Sequence, residues 1–217
     1  MIDRNRRKLL IGLSGLLATS ATGSIAGLIP TPRQSPGPFY PDTLPLDDDN
    51  NLTEVAGKTE KANGIISDVT GRIVDINGKP LVGTRIEIWQ CDANGRYRHR
   101  RERGANPIDE NFQGHGSTLT DKQGSYRFRT IRPVPYPGRT PHIHVAVFPE
   151  NEPPFITQLY IAGEERNETD FLYNSIPWDK RSLVTADFTK SPLPDADQLA
   201  QFDIILNHSE GTPQDLG

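Results

Sequence analysis

The chain has 217 residues, 34% hydrophobic and 24% charged, enough for one domain with a sizeable core and too charged for a polytopic membrane protein. Its 24 basic and 28 acidic side chains leave a formal net charge of −4, which excludes the broad basic surface that holds nucleic acid. A single cysteine, Cys91, excludes an intramolecular disulfide framework and multi-cysteine metal clusters. The 19 glycines and 19 prolines favour many short strands over a helix bundle.

The N-terminal segment Asp3-Arg-Asn-Arg-Arg-Lys8 precedes 21 uncharged residues, Leu9 to Ile29, apolar at first and then rich in Ala, Ser, Thr and Gly. A basic start, an apolar run and small residues at Ser24-Ile-Ala26 describe an export signal. Arg6-Arg7 followed by Lys-Leu-Leu resembles the twin-arginine signal, which routes folded proteins across a membrane. Residues 1–26 are therefore expected to be removed, leaving a periplasmic or extracellular chain with no stable membrane insertion. An uncleaved anchor is the competing reading, weakened by the many Gly, Ser and Thr residues.

Residues 27–63 hold Pro30, Pro32, Pro36, Pro38, Pro41 and Pro45, then Asp47-Asp-Asp49. No amphipathic period runs through them, which predicts an extended arm. The main folded unit is expected over 64–217, where the pattern becomes period-2. Gly71–Pro80 reads as strand, Asn77-Gly78 turn and return. Thr84–Gln90 alternates Ile86, Ile88 and Gln90 on one face with Arg85, Glu87 and Trp89 on the other, and Asp92-Ala-Asn-Gly95 closes it with turn chemistry. Ser117–Thr130 reads as a second strand–turn pair, followed by strands at His142–Phe148, Phe155–Ile161 and Phe202–Leu206. A short helix is expected at Asp195–Gln201. Short strands at this spacing predict an all-β sandwich.

Chemistry concentrates in Arg132-Pro-Val-Pro-Tyr136-Pro-Gly-Arg139-Thr-Pro-His142-Ile-His144. Strand side chains at i and i+2 share a face, so His142 and His144 can present imidazoles to one ion while Ile143 points the other way. No acid in that strand completes a two-histidine, one-carboxylate set. The nearest oxygen donor upstream is Tyr136, flanked by Pro135 and Pro137. A phenolate suits ferric iron, and coordination would deprotonate it far below its free pKa of about 10. The bland alternatives are surface histidines and a loop aromatic; a zinc enzyme using His142 and His144 is another reading.

The motifs in series resemble the intradiol ring-cleavage dioxygenases, in particular β-type protocatechuate 3,4-dioxygenase subunits. They are Gly37-Pro-Phe-Tyr-Pro41, Gly71–Leu81, Ile86-Glu-Ile-Trp-Gln-Cys-Asp-Ala-Asn-Gly-Arg-Tyr97, Thr118–Phe128, Pro141-His-Ile-His144, Ile156-Thr-Gln-Leu-Tyr160 and Phe202–Leu206. The resemblance implies a non-haem Fe(III) held by Tyr97, Tyr136, His142 and His144. It implies substrate contacts from Arg139 and Gln158, with Tyr40 bordering the mouth. The implied reaction cleaves catechol, protocatechuate, hydroxyquinol or a similar ring between its hydroxylated carbons. Dioxygen supplies both incorporated atoms, and the product is a muconate. Tyr136 serves as displaced ligand and base, and Arg139 stabilises charge on the ring. No nicotinamide or flavin is required.

Two features depart from the family. Tyr136 and His142 are only six residues apart, and Gly138 stands where protocatechuate enzymes carry a tryptophan, which predicts an open, tolerant pocket. The form looks like exported, single-chain members of the superfamily. The oligomer is left open between a homo-oligomer and assembly with an α-type subunit. Gly71–Phe128 also resembles prealbumin-like extracellular modules, a binding reading without chemistry. Among the remaining groups, His99 in the basic run Arg96–Arg103 is expected on a solvated face, the alternatives being attraction of carboxylated aromatics or contact with a partner subunit. His115 is not expected as a ligand, His208 is expected to be exposed, and Cys91 is expected to be packed.

Overall fold

Alternating apolar residues require a sheet with one face turned inward, and the computed structural model, which describes residues 27–44 and 47–208, builds two such sheets. The strands are β1 (Ile66–Asp75), β2 (Arg85–Trp89), β3 (His115–Leu119), β4 (Ser125–Ile131), β5 (His142–Phe148), β6 (Phe155–Ile161), β7 (Thr185–Ala186), β8 (Thr189–Lys190), β9 (Gln198–Gln201) and β10 (Ile204–Leu206). One sheet runs β10-β1-β9-β8, with β4 also on β1; the other runs β3-β2-β5-β6-β7. A single core draws on both sheets, with Val69, Ile73, Phe128 and Ile204 from the first and Ile86, Ile88, Ile143, Val145 and Leu159 from the second. The all-β expectation holds. Among the described residues, helix is confined to α1 (Phe171–Asn174) and two 3-10 turns, Glu165–Thr169 and Trp178–Val184.

The helix expected at Asp195–Gln201 is a strand instead. Ser67–Thr70 of β1 pairs in parallel with Gln198–Gln201, and Asp197 both donates to Ile66 O and accepts from Ile66 N. Good helix formers there are overruled by an available strand edge, as tertiary context commonly overrules propensity. Between β9 and β10 the chain crosses Gly71 so closely that a Cβ there would lie 1.9 Å from Phe202 O. Tyr126 Oη fixes the same carbonyl at 2.5 Å.

The outer face of the second sheet positions the site. Register sets Trp89 opposite His144 and His144 opposite Gln158, with His142 opposite Tyr160. All five are buried, although they point away from the core. The cover comes from the arm and from the segments between strands. Residues 27–44 and 47–63 contain no helix or strand beyond a bridge from Asn51 to Arg129. They are tied down by Gln34 N to Ile156 O (2.8 Å), Thr31 N to Ile205 O (2.9 Å) and Thr157 Oγ1 to Pro32 O (2.8 Å). The expected export signal lies outside the described residues, and no described helix is long and apolar enough to cross a membrane.

Candidate active site

The four expected ligands come together from three local devices. His142 and His144 alternate with Ile143 along β5, and their Nε2 atoms lie 3.2 Å apart, with ring centroids at 4.7 Å. Tyr97 follows a turn in which Asp92 Oδ1 accepts from the amides of Asn94 and Arg96 (both 2.9 Å) and Gly95 N donates to Asp92 O. Tyr136 opens the turn Tyr136-Pro137-Gly138-Arg139, closed by Arg139 N to Tyr136 O at 3.0 Å. Proline second and glycine third, here at φ 82°, are the residues a type II turn demands. The Tyr97 and Tyr136 rings stand edge to face at 5.3 Å, and Tyr136 lies 5.4 Å from His142.

The donor atoms suit a cation. His142 Nδ1 lies 2.6 Å from Thr140 O and donates to that carbonyl, which leaves Nε2 with its lone pair turned into the site. Among the described residues His144 Nδ1 has no hydrogen-bond partner. Its ring is held instead by stacking on Trp89 at 4.8 Å and 4°, with Gly37 against its edge, where an added Cβ would meet Cε1 at 3.2 Å. Tyr97 Oη is buried with no hydrogen-bond partner among the described residues, a costly state for a hydroxyl unless something binds there. Burial pushes His142 down to about 3, helped by the Arg139 charge, and His144 well below the usual imidazole range. Burial also raises both phenols, although Arg139 partly offsets this at Tyr136. The protein alone therefore keeps two imidazoles and two phenols neutral around one point, and a bound cation would reverse that balance for the phenols. No cluster of three or more His, Cys, Asp or Glu among the described residues offers a metal site, so a zinc reading lacks a third ligand of those types.

Arg139 is the hub beside this set. Its Nε donates to Asp170 Oδ2 (2.8 Å), Nη2 to Gln158 Oε1 (2.6 Å), and Nη1 reaches Tyr136 Oη (3.4 Å) and His142 Nε2 (3.3 Å). Gln158 is fully buried and also donates to Ser35 O (3.1 Å). Its amide therefore aims the guanidinium. Asp170, which the sequence reading did not single out, also accepts from Thr140 N (2.9 Å) and from the first amides of α1, Leu172 N and Tyr173 N. Desolvation would raise its carboxyl, but the Arg139 bond and these amides hold it below the usual range. The only local signal for Asp170 was its suitability as a helix cap; its partner is 31 residues away.

Tyr40, expected at the mouth, stands behind Trp89 instead. Its ring meets the indole edge to face at 5.0 Å, and its hydroxyl donates to Glu87 Oε2 (2.8 Å). Its neighbours touch the site: Phe39 stacks on Tyr97 at 4.8 Å and faces Tyr136 at 6.0 Å. His115 is buried away from the four donors, its nitrogens each 3.2 Å from a carboxylate, Glu87 and Asp48. The solvated-face expectation holds for Arg98, Arg100, Arg101 and Arg103 but fails for His99, whose side chain is buried against Phe39 and faces Asp42. His208 is only partly exposed and pairs with Glu152 at 2.8 Å. Cys91 is packed, and burial pushes its thiol up to about 12.

Two cavities flank the donors. One of about 700 Å³, largely apolar, reaches Tyr97, Phe39 and Phe112. The other, about 530 Å³ and more polar, reaches Tyr136, Gly138, Arg139 and Asp170. A Cβ on Gly138 would meet nothing within 4 Å, in keeping with the open wall expected there. Tyr136 is the one ligand candidate that is half-buried rather than buried.

Comparison with known proteins follows the same outline. Residues 36–208 match the Dioxygenase family model. The chain is 35% identical over 194 residues to a protocatechuate 3,4-dioxygenase beta chain of Burkholderia cepacia, covering 84% of this chain and 82% of that one. A hydroxyquinol 1,2-dioxygenase of Corynebacterium glutamicum is 28% identical over 78% of this chain, which spans 61% of its length. Among solved structures, the dioxygenase domain of a carbohydrate-binding fusion from Streptomyces sp. SirexAA-E superposes with a TM-score of 0.64 at 30% identity, covering 83% of this chain and all of that one. Nothing in these matches supports the prealbumin-like reading. The chain belongs to the intradiol ring-cleavage dioxygenases, oxidoreductases of the all-β class.

Proposed function

We propose that this chain is a non-haem Fe(III) enzyme that opens catechol-type rings between the two hydroxylated carbons with dioxygen, yielding muconate-type products. The observation that carries the reading is the convergence of Tyr97, Tyr136, His142 and His144, neutral and largely dry, with an orphaned phenol oxygen among them. When bound, ferric iron supplies a Lewis acid for the catechol oxygens. Tyr136 is the donor best suited to give way to substrate, because it alone of the four is half-exposed and it stands at the start of a tight turn rather than within a strand. As a phenolate, its oxygen would be the base that accepts a proton from a catechol hydroxyl. Arg139 then faces the developing negative charge with a guanidinium already aimed by Asp170 and Gln158, so little reorganisation is needed. Phe39, Trp89 and the arm keep water from Tyr97 and the histidines.

Metal analysis together with a visible spectrum and product identification tests this. A red, iron-containing protein that converts catechol to a muconate without added reductant is expected; a colourless protein with stoichiometric zinc would falsify it. Homologues named for protocatechuate, hydroxyquinol and catechol support the substrate class and leave its member open. We further propose export by a twin-arginine-type route, on the strength of Arg6-Arg7. Replacing both with lysine should leave precursor in the cytoplasm, because the receptor reads the guanidinium pair. Undiminished export of that variant would point to the general secretory route.

A further inference from the structure

The polar cavity beside Tyr136 contains three guanidinium groups and two carboxylates, and they do not cancel. Arg96 is committed to Glu102 and to the carbonyl of Asn106. Arg139 is committed to Asp170 at 2.8 Å. Arg166 remains. Its backbone amide donates to Glu164 Oε1 (3.2 Å), but among the described residues its guanidinium has no hydrogen bond or ion pair. It stands in the 3-10 turn Glu165–Thr169. Glu164, Glu165 and Glu168 temper its field from the same segment, yet none of them lines the cavity.

We propose that Arg166 selects catechols that carry an anionic ring substituent, such as a carboxylate, by holding that group in the polar cavity while the diol faces the four donors. The proposal rests on the function proposed above. The cavity joins the half-exposed ligand candidate to the free cation without an intervening wall, since Gly138 contributes no side chain. Its volume of about 530 Å³ is more than a bare catechol needs. A guanidinium presents a planar fork of donors matched to a carboxylate. The basic run Arg96–Arg103, a candidate for this task on sequence grounds, is largely spent elsewhere. Arg98 pairs with Glu110 (3.2 Å), Arg100 with Asp42 (2.7 Å), and Arg103 with the carbonyl of Arg100 (2.5 Å).

The test uses the iron-loaded chain and two readouts. The first is calorimetric titration with 4-hydroxybenzoate and with phenol, rings lacking the second hydroxyl needed for cleavage. The second is kcat/KM for protocatechuate and for catechol. Arg166→Ala should lower the anionic-to-neutral ratio in both readouts about tenfold, the size of one partly exposed charge-assisted hydrogen bond. Arg166→Glu should lower it further, and Arg166→Lys should keep most of it. In the unmodified chain the ratio should shrink as ionic strength rises to roughly 0.5 M, because the group is exposed and screened. A ratio unchanged in Arg166→Ala and Arg166→Glu, or a salt-independent ratio in the unmodified chain, overturns the proposal while leaving the ring-cleavage reading intact. Absence of visible colour and of cleavage with every catechol defeats that reading instead, and the titration still reports the anion preference by itself.

Discussion

The two halves of the site are built differently. His142 and His144 project from a strand that is hydrogen-bonded on both sides, and Tyr97 is packed with Trp89, Cys91 and Phe39. Tyr136 and Arg139 stand at the two ends of a tight turn whose middle residues are exposed. On the function proposed above, the histidine ligands that stay in place are carried by a sheet, and the ligand that yields to substrate is carried by a turn. The turn's loss of rigidity is made up locally, because Asp170 and Gln158 hold Arg139 from behind.

Removing a strand-borne donor should have the largest effect. His142→Ala and His144→Ala should lose iron and activity by more than the roughly 10–100-fold typical of an outer partner, as read by metal analysis. Tyr136→Phe should retain iron, and loss of the metal in that variant would erase the distinction between the halves. Tyr97→Phe should bleach or shift the colour. Next in size, Arg139→Ala should lower kcat by about 10²–10³, the scale for a charge-stabilising donor. It should also destabilise the fold by about 3–5 kcal/mol by stranding buried Asp170. Asp170→Asn should lower kcat by about 10–100-fold through Arg139 with KM less affected; a pure KM effect would mean that Arg139 only anchors substrate.

Smaller effects probe the cover. Gly37→Ala should cost about 1–2 kcal/mol, because residue 37 has φ 68° and its Cβ would press on the His144 ring; thermal melting and the visible band would report it. Beneath Trp89, desolvation would raise the Glu87 carboxyl, but bonds from His115 and Tyr40 hold it below the usual range. A depressed folded pKa stabilises fully above the unfolded value of about 4.3 and is lost as pH falls through the folded one. Glu87→Gln should therefore melt lower at pH 7 and show a shallower decline in Tm on acidification. Parallel curves for the two proteins would show that Glu87 is not a source of acid sensitivity.

Period-2 patterning, turn residues and motif order were enough to read the two-sheet fold, the shared face of His142 and His144, and the family. These signals are local, since strand alternation and Pro-Gly turn geometry are decided within a few residues. Only the tertiary structure could decide what each local piece would meet. Gln198–Gln201 has helix-forming composition and became a strand because β1 offered an edge. Tyr40 and Phe39 are adjacent in sequence, yet one reaches Glu87 and the other covers Tyr97, since the chain turns and bends over residues 38–40. Asp170 and Arg166, four residues apart, look equally exposed and polar as sequence. Folding buries the first on Arg139 and leaves the second at the cavity with no partner among the described residues, because ion pairing depends on distances through space that sequence separation does not encode.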